Sequence, residues 1–157
     1  MPETSIFSDK EIAFLGQLNR EKVDFMIVGL SAATLQGAPV VTQDIDLWFS
    51  DLTDPGILKA LQSVGGVYIP PITSNPPMFT GEAVKLFDIV THMHGLGTFE
   101  EESGNTLKIR LGRIKVQVLR LERIIASKEA TGREKDRLIL PILKDVLITI
   151  RESDREG

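Results

Sequence analysis

The sequence contains no cysteine, and this absence excludes several kinds of structure and chemistry. Without cysteine there is no disulfide framework, no thiolate nucleophile and no thiolate metal ligand, which is common in proteins of the reducing cytosol. Residues 1–11 lack the basic and apolar stretches of a secretory signal, so we expect a cytoplasmic location. No apolar run approaches the roughly 18 residues that span a bilayer, and we expect no membrane partner.

A strong excess of one charge is also absent. The chain carries 18 basic and 22 acidic residues, a net charge of −4, so the whole surface does not attract nucleic acid. This balance still leaves room for a local basic patch. The 157 residues, 42% hydrophobic and 25% charged, are typical of one globular domain, which we expect to span 1–157.

Helical and strand patterns alternate along the chain. Ser8 with Glu11 forms a capping box that predicts a helix over 8–22, and Asp54 before Pro55 predicts another helix start. Further helical segments are predicted over 30–37 and from 121 to about 152, with a break or cap at 131–133, a kink or restart at Pro141 and fraying over 151–157. Strands are predicted over 23–29, 41–49 and 82–93, with a hairpin of 106–111 and 114–120 around Gly112-Arg113. The proline-rich segment 67–81 predicts an irregular loop.

This order of elements predicts an α+β fold. We expect a mixed β-sheet flanked by helices, with a helical C-terminal segment.

Two carboxylates interrupt the apolar strand segment TQDIDLWF. Asp44 and Asp46 are two residues apart, so in a strand both would point to one face at a spacing of about 7 Å. Asp88 lies in another predicted strand, and if the strands are neighbours the three acids converge at one end of the sheet. Such a cluster suits Mg²⁺ or Mn²⁺, which prefer oxygen ligands. The alternative is that these acids lie on the solvated face of an edge strand or pair with lysines.

A glycine turn precedes the acidic strand. Gly29 follows an apolar strand and precedes a short helix, so the backbone there can approach a ligand and present N–H groups to phosphate. The turn and the carboxylate pair lie about fifteen residues apart on consecutive elements. Together they are more specific for a phosphate-transferring site than either is alone.

Three segments carry a resemblance to a known family. The segment FMIVGLSAATLQGAPVVTQDIDLWF resembles the nucleotidyltransferase superfamily, best known for the fold of DNA polymerase beta. It is most similar to small bacterial nucleotidyltransferase-like proteins, including toxins of type IV toxin–antitoxin pairs. LFDIV resembles the strand that supplies the third acid, and 119–147 resembles a helical segment whose motif matches Lys128, Arg133, Lys135 and Asp136. The resemblance covers about 20–148.

The resemblance implies a metal-dependent transfer reaction. A nucleoside monophosphate would pass from an NTP to a hydroxyl on an RNA, a protein or a small molecule. Asp44 and Asp46 would ligate Mg²⁺, while Asp88 would complete a second metal position and help activate the attacking hydroxyl. In an alternative interpretation of the resemblance, the protein has kept the fold without catalysis and acts as a regulator or as one half of a toxin–antitoxin pair, with an antitoxin protein as its partner.

The same resemblance assigns nucleotide-binding residues and shows two departures. Gly29 and Ser31 would line the phosphate turn, and Lys128 would add positive charge. Relatives have a small residue where this chain has Leu30, and they have arginine where it has Val40. These departures favour impaired turnover, or an inactive module that binds a nucleotide or a partner protein.

Other polar residues have simpler interpretations. His92 and His94 alternate at a strand end and could hold a transition metal, but we favour ordinary strand-end histidines because no third ligand is evident. The acidic run 100–102 predicts a solvated loop.

Overall fold

A computed structural model describes residues 7–156 of the chain. Within this range, seven strands lie at β1 Phe25–Val28, β2 Ile45–Phe49, β3 Val67–Ile69, β4 Met78–Thr80, β5 Phe87–Val90, β6 Thr106–Leu111 and β7 Ile114–Leu119. The α-helices lie at α1 Asp9–Arg20, α2 Gly29–Leu35, α3 Pro55–Ser63, α4 Phe99–Glu102, α5 Leu121–Thr131 and α6 Glu134–Glu156. A short 3₁₀ turn, Ser103–Asn105, follows α4.

Five of the strands form one mixed sheet in the order β5-β2-β1-β7-β6. β1 is antiparallel to β2 and parallel to β7, while β5 is parallel to β2 and β6 is antiparallel to β7. All four residues of β1 are buried, as expected for a central strand covered on both faces. The predicted α+β fold with a mixed sheet and a helical C-terminal segment is confirmed.

The predicted helix boundaries follow from local capping bonds. Ser8 and Glu11 form both bonds of the capping box at α1, and the Asp54 side chain accepts from the Gly56 N–H at 2.8 Å at the start of α3. Gly132 ends α5 with φ +66°, the left-handed conformation that glycine adopts without strain. No helix between residues 7 and 156 has the length and apolarity to cross a membrane.

One prediction about proline is wrong. The segment 67–81 is not wholly irregular, because β3 and β4 pair at its ends and bury Phe79 against other aromatic rings. The last helix does not restart at Pro141, and α6 continues to Glu156, past the predicted end and through most of the segment predicted to fray. Leu143 is fully buried just beyond the proline, so packing against the core offsets the lost backbone bond. Residue 157 lies outside the described residues.

The acidic run 100–102 is not a solvated loop either. It forms α4, and Glu102 is only 3% exposed. Its carboxylate accepts two bonds from Arg123, at 2.7 and 2.8 Å, and further bonds from the Gly97 N–H and the Asn105 amide. Led by the bonds from Arg123, these contacts lower the pKa of Glu102 to about 2 and join α4 to α5.

Candidate active site

A polar cleft of about 400 Å³ opens where β1 ends and β2 begins. Its lining includes four acidic and three basic side chains: Asp44, Asp46, Asp88, Asp136, Lys128, Arg133 and Lys135. Asp46 and Asp88 lie in the sheet and Asp44 directly precedes β2, whereas Asp136 and the three cations come from α5, α6 and the link between them. The cleft therefore has one wall that attracts cations and another that attracts phosphate.

Strand register brings two of the acids side by side. Val28, the last residue of β1, pairs with Asp46, which in turn pairs with Asp88 on the parallel strand β5. Neighbouring strands lie about 4.8 Å apart, so the two carboxylates share one end of the sheet. The strands of Asp46 and Asp88 are therefore neighbours, which was the condition for the acids to converge.

Asp44 lies just before β2, not inside it. The predicted strand 41–49 is too long at its start, because regular pairing begins only at Ile45. Asp44 is exposed, and its carbonyl oxygen accepts a bond from the Thr42 hydroxyl at 3.1 Å. Asp44 therefore reaches the cleft from a turn, with more freedom than the two strand acids have.

Gly29 allows the close approach of Asp46. Its φ of +69° turns the chain from β1 directly into α2, and a Cβ at this position would overlap the Asp46 carboxylate oxygen Oδ2. The sequence predicted a glycine that lets a ligand approach the backbone. In the structure, the group that approaches it is a carboxylate of the chain itself.

Ser31 supports the same acid from behind. Its buried hydroxyl donates to the Val28 carbonyl oxygen at 2.9 Å and accepts from the Asp46 N–H at 3.3 Å. These bonds fix the backbone of Asp46 relative to the end of β1. The predicted contacts of Gly29 and Ser31 with nucleotide stay predictions.

Burial and like charge both act on Asp46. Burial, followed by the charges of Asp88 and Asp44, raises its pKa to about 6, against the opposing effect of Lys128 and Lys135. The pKa of Asp88 is also raised, by burial and then by Asp44. The three acids therefore repel one another, as the sequence suggested for a shared site.

A buried carboxylate organises the basic wall. Asp136 is 1% exposed and accepts from Lys128 Nζ at 3.3 Å and from Arg133 Nε at 2.8 Å. Burial alone would raise the pKa of Asp136, but the bonds from Arg133 and Lys128 outweigh it and hold this pKa below its ordinary value. Lys128 is only 15% exposed, so it is not the ordinary surface lysine that its helical position suggested. The three-residue spacing of Arg133 and Asp136 was the sequence signal for this contact.

The donor set fits a divalent cation only in part. Within residues 7–156, no group of three or more histidine, cysteine, aspartate or glutamate side chains is arranged to hold a metal ion. Mg²⁺ commonly uses one or two carboxylates and takes its other ligands from substrate phosphates and water. Asp44 and Asp46 can supply such a pair at the rim of the cleft. The predicted roles of all three acids as ligands stay predictions.

The two histidines lie beyond β5 and are exposed. Their rings are 6.3 Å apart, and the strand predicted over 82–93 ends at Val90. Neither belongs to a group of three or more metal-ligating side chains within the described residues.

Comparison with known proteins identifies the fold. No family model matches the sequence, and no curated protein matches it. Two solved structures of ANT(2″)-Ia do match the coordinates. The crystal structure in complex with adenylyl-2″-tobramycin has a TM-score of 0.52 and 14% identity, covering 85% of this chain and 94% of that chain. The solution structure, described as that of an antibiotic-resistance factor, has a TM-score of 0.54 and 12% identity, covering 94% and 96%. The chain has the nucleotidyltransferase fold.

This nucleotidyltransferase fold agrees with the resemblance found over 25–49. At 12–14% identity the likeness establishes the fold alone, and the acceptor of this chain is a separate question. The antitoxin partner stays a prediction.

We predict that Asp46→Asn stabilises the metal-free protein. The folded pKa of about 6 lies above the ordinary value of 3.8, so ionisation of Asp46 opposes folding and wild-type stability falls as pH rises through this window. The gain from Asp46→Asn should be small near pH 4 and reach roughly 1–2 kcal/mol above pH 6. Thermal melts in EDTA across this range measure it, with Asp145→Asn, at an exposed acid outside the cleft, as the control. A variant that melts below wild type throughout would mean that Asp46 is a structural residue.

Proposed function

We propose that the protein is a metal-dependent nucleotidyltransferase. It transfers a nucleoside monophosphate from an NTP to a hydroxyl of an acceptor and releases pyrophosphate. The observation that carries this proposal is the register of Asp46 with Asp88 across a cleft from Lys128, Arg133 and Lys135. The nucleotidyltransferase fold supports it.

In this proposal the acidic wall binds the metal and the attacking group. Asp44 and Asp46 would hold Mg²⁺, whose positive charge would offset the negative charge of the triphosphate. Asp88 would complete a second metal position and help to activate the acceptor hydroxyl by accepting its proton. The acceptor oxygen forms a bond to the α-phosphorus as the bond to the leaving pyrophosphate oxygen breaks.

The basic wall binds the phosphates. Hydrogen bonds to Asp136 already fix the side chains of Lys128 and Arg133. Little side-chain entropy is therefore lost when a triphosphate binds. Arg133 offers a planar group that can contact two phosphate oxygens, and Lys135 adds charge at the same wall.

A second candidate function is a binding module without turnover. Leu30 lines the cleft where the family has a small residue, and its side chain occupies space that phosphates would use. Val40 does not line the cleft, and its side chain packs partly against the core. The lack of an arginine at this position therefore does not alter the lining of the cleft. In this alternative the protein binds nucleotide, or an antitoxin protein, and transfers slowly or not at all.

We predict that the metal-dependent affinity for NTP requires Asp44 and Asp46. Calorimetry with Mg²⁺ and NTP should show a loss of about tenfold or more when both are changed to asparagine, because the carboxylate pair that holds the cation is gone. The matched control changes Asp24 and Asp145, two exposed acids outside the cleft, and should bind as wild type does. Unchanged metal-dependent affinity in the cleft variant would contradict the proposal.

We predict that restoring the family pattern raises the transfer rate. Leu30→Gly with Val40→Arg opens the cleft and returns a guanidinium, and a charge contact of this kind changes rates by roughly a hundredfold. Transfer from labelled NTP into pooled RNA, protein and small-molecule acceptors should therefore rise from a slow wild-type value. The same variant with Asp46→Asn is the control and should transfer nothing. Fast transfer by wild type would refute the impairment, and nucleotide binding without transfer in the restored variant would favour the binding module.

A further inference from the structure

The β6–β7 hairpin presents a basic face. Lys108 pairs with Gln117 and Arg110 pairs with Lys115, and alternation along both strands places these four side chains on one face of the hairpin. Three of the four are basic, and all three are exposed. We call Lys108, Arg110 and Lys115 the basic face.

Acidic partners are missing from this face. The segment 106–120 contains five basic residues and no acidic residue, in a chain whose net charge is −4. Among the described residues, none of the three side chains of the basic face forms an ion pair within 4 Å. Arg110 and Lys115 also lie directly opposite each other, an arrangement that destabilises a sheet. The hairpin therefore bears an electrostatic cost that a polyanion would relieve.

The basic face continues into a neighbouring concavity. A hollow of about 360 Å³ is lined by Lys108 and Lys115, by Lys22, and by the polar side chains of Asn19 and Gln117. One acid, Asp24, also faces it, so the hollow carries three lysines against one carboxylate. The cationic surface is thus broad, and it is larger than a pocket for one phosphate.

The position of this surface indicates a large ligand. β7 runs parallel to β1 with Val118 opposite Ile27, so Lys115 lies at the end of the sheet where β1 begins. The cleft lies at the other end, beyond Val28. The four residues of β1 separate the two by about 13 Å, a distance that a polymer spans easily.

The chemistry of the face favours nucleic acid over a membrane. Exposed lysines and arginines at two-residue spacing suit the repeated phosphates of a nucleic-acid backbone. Membrane surfaces bind peripheral proteins through apolar side chains as well as cations. None of the large apolar side chains that are exposed within residues 7–156 belongs to the hairpin.

We propose that the basic face of the β6–β7 hairpin binds the phosphate backbone of a nucleic acid, for which RNA is the probe used below. The contact is electrostatic and independent of base sequence. It does not require catalysis, so it holds whether the cleft transfers nucleotides or only binds them. If the proposed function is correct, an RNA on this surface can reach the cleft with one of its hydroxyl groups.

The test is fluorescence anisotropy with a short labelled RNA of mixed sequence, without NTP or metal. Changing Lys108, Arg110 and Lys115 to glutamine should weaken binding about tenfold or more, and it should reduce the slope of log affinity against log salt by about 2. The control changes Lys10, Lys59 and Lys85, which are exposed on other surfaces, and removes the same charge. Asp46→Asn should bind RNA as wild type does, which separates this proposal from the transfer reaction.

Three outcomes would overturn the proposal. The two triple variants could lose affinity equally, which would assign binding to net charge and not to the hairpin. The hairpin variant could bind as wild type does. Polyglutamate or phosphatidylserine vesicles could bind the basic face while RNA does not. Unfolding does not confuse the result, because relief of the Arg110–Lys115 repulsion should leave the thermal midpoint of the hairpin variant unchanged or higher.

Discussion

The close approach of the Asp46 carboxylate to the backbone of Gly29 sets the geometry of the cleft. Only a residue without Cβ fits there, and its left-handed conformation also turns the chain from β1 into α2 without an intervening loop. Ser31, on the first turn of that helix, then bonds to the backbone on both sides of the contact. Because Asp46 pairs with Asp88 in the strand register, fixing Asp46 also fixes the position of Asp88. A turn that permits one close contact thus places two acids.

On the acidic wall of the cleft the like charges repel one another, whereas on the basic wall two of the cations are paired with a carboxylate. Asp46 has a raised pKa because it is buried beside other acids, whereas Asp136 has a lowered pKa because it holds Lys128 and Arg133. Groups with perturbed pKa values that face one another across a cleft are typical of functional sites. A cation and a polyphosphate together would relieve the acidic wall and use the basic wall, which is why the arrangement favours nucleotide chemistry over a purely structural role.

Local signals made most of the fold predictable, and contacts between distant residues account for the errors. Capping residues such as Ser8 and Asp54 act within one turn, so helix starts followed from sequence. The burial of Glu102 depends on its ion pair with Arg123, 21 residues away. The hydrophobic periodicity of the sequence does not indicate such a contact. Pro141 lies in a helix that packing sustains against local preference. In the site, Asp46 and Asp88 were predictable from strand patterns, but the contact of Gly29 with Asp46 required the coordinates.

We propose above all that the acidic end of the sheet binds a divalent cation together with a nucleotide. Mn²⁺ broadens nearby amide signals in NMR spectra, so it maps the metal directly on labelled protein in the presence of a non-hydrolysable NTP analogue. Binding at the acidic end of the sheet predicts that the signals of 29–31, 44–47 and 88 are lost first, and that the turn of the β6–β7 hairpin at Gly112, at the opposite end of the sheet, is affected least. Broadening centred on His92 and His94, or spread evenly over the acidic surface, would contradict it.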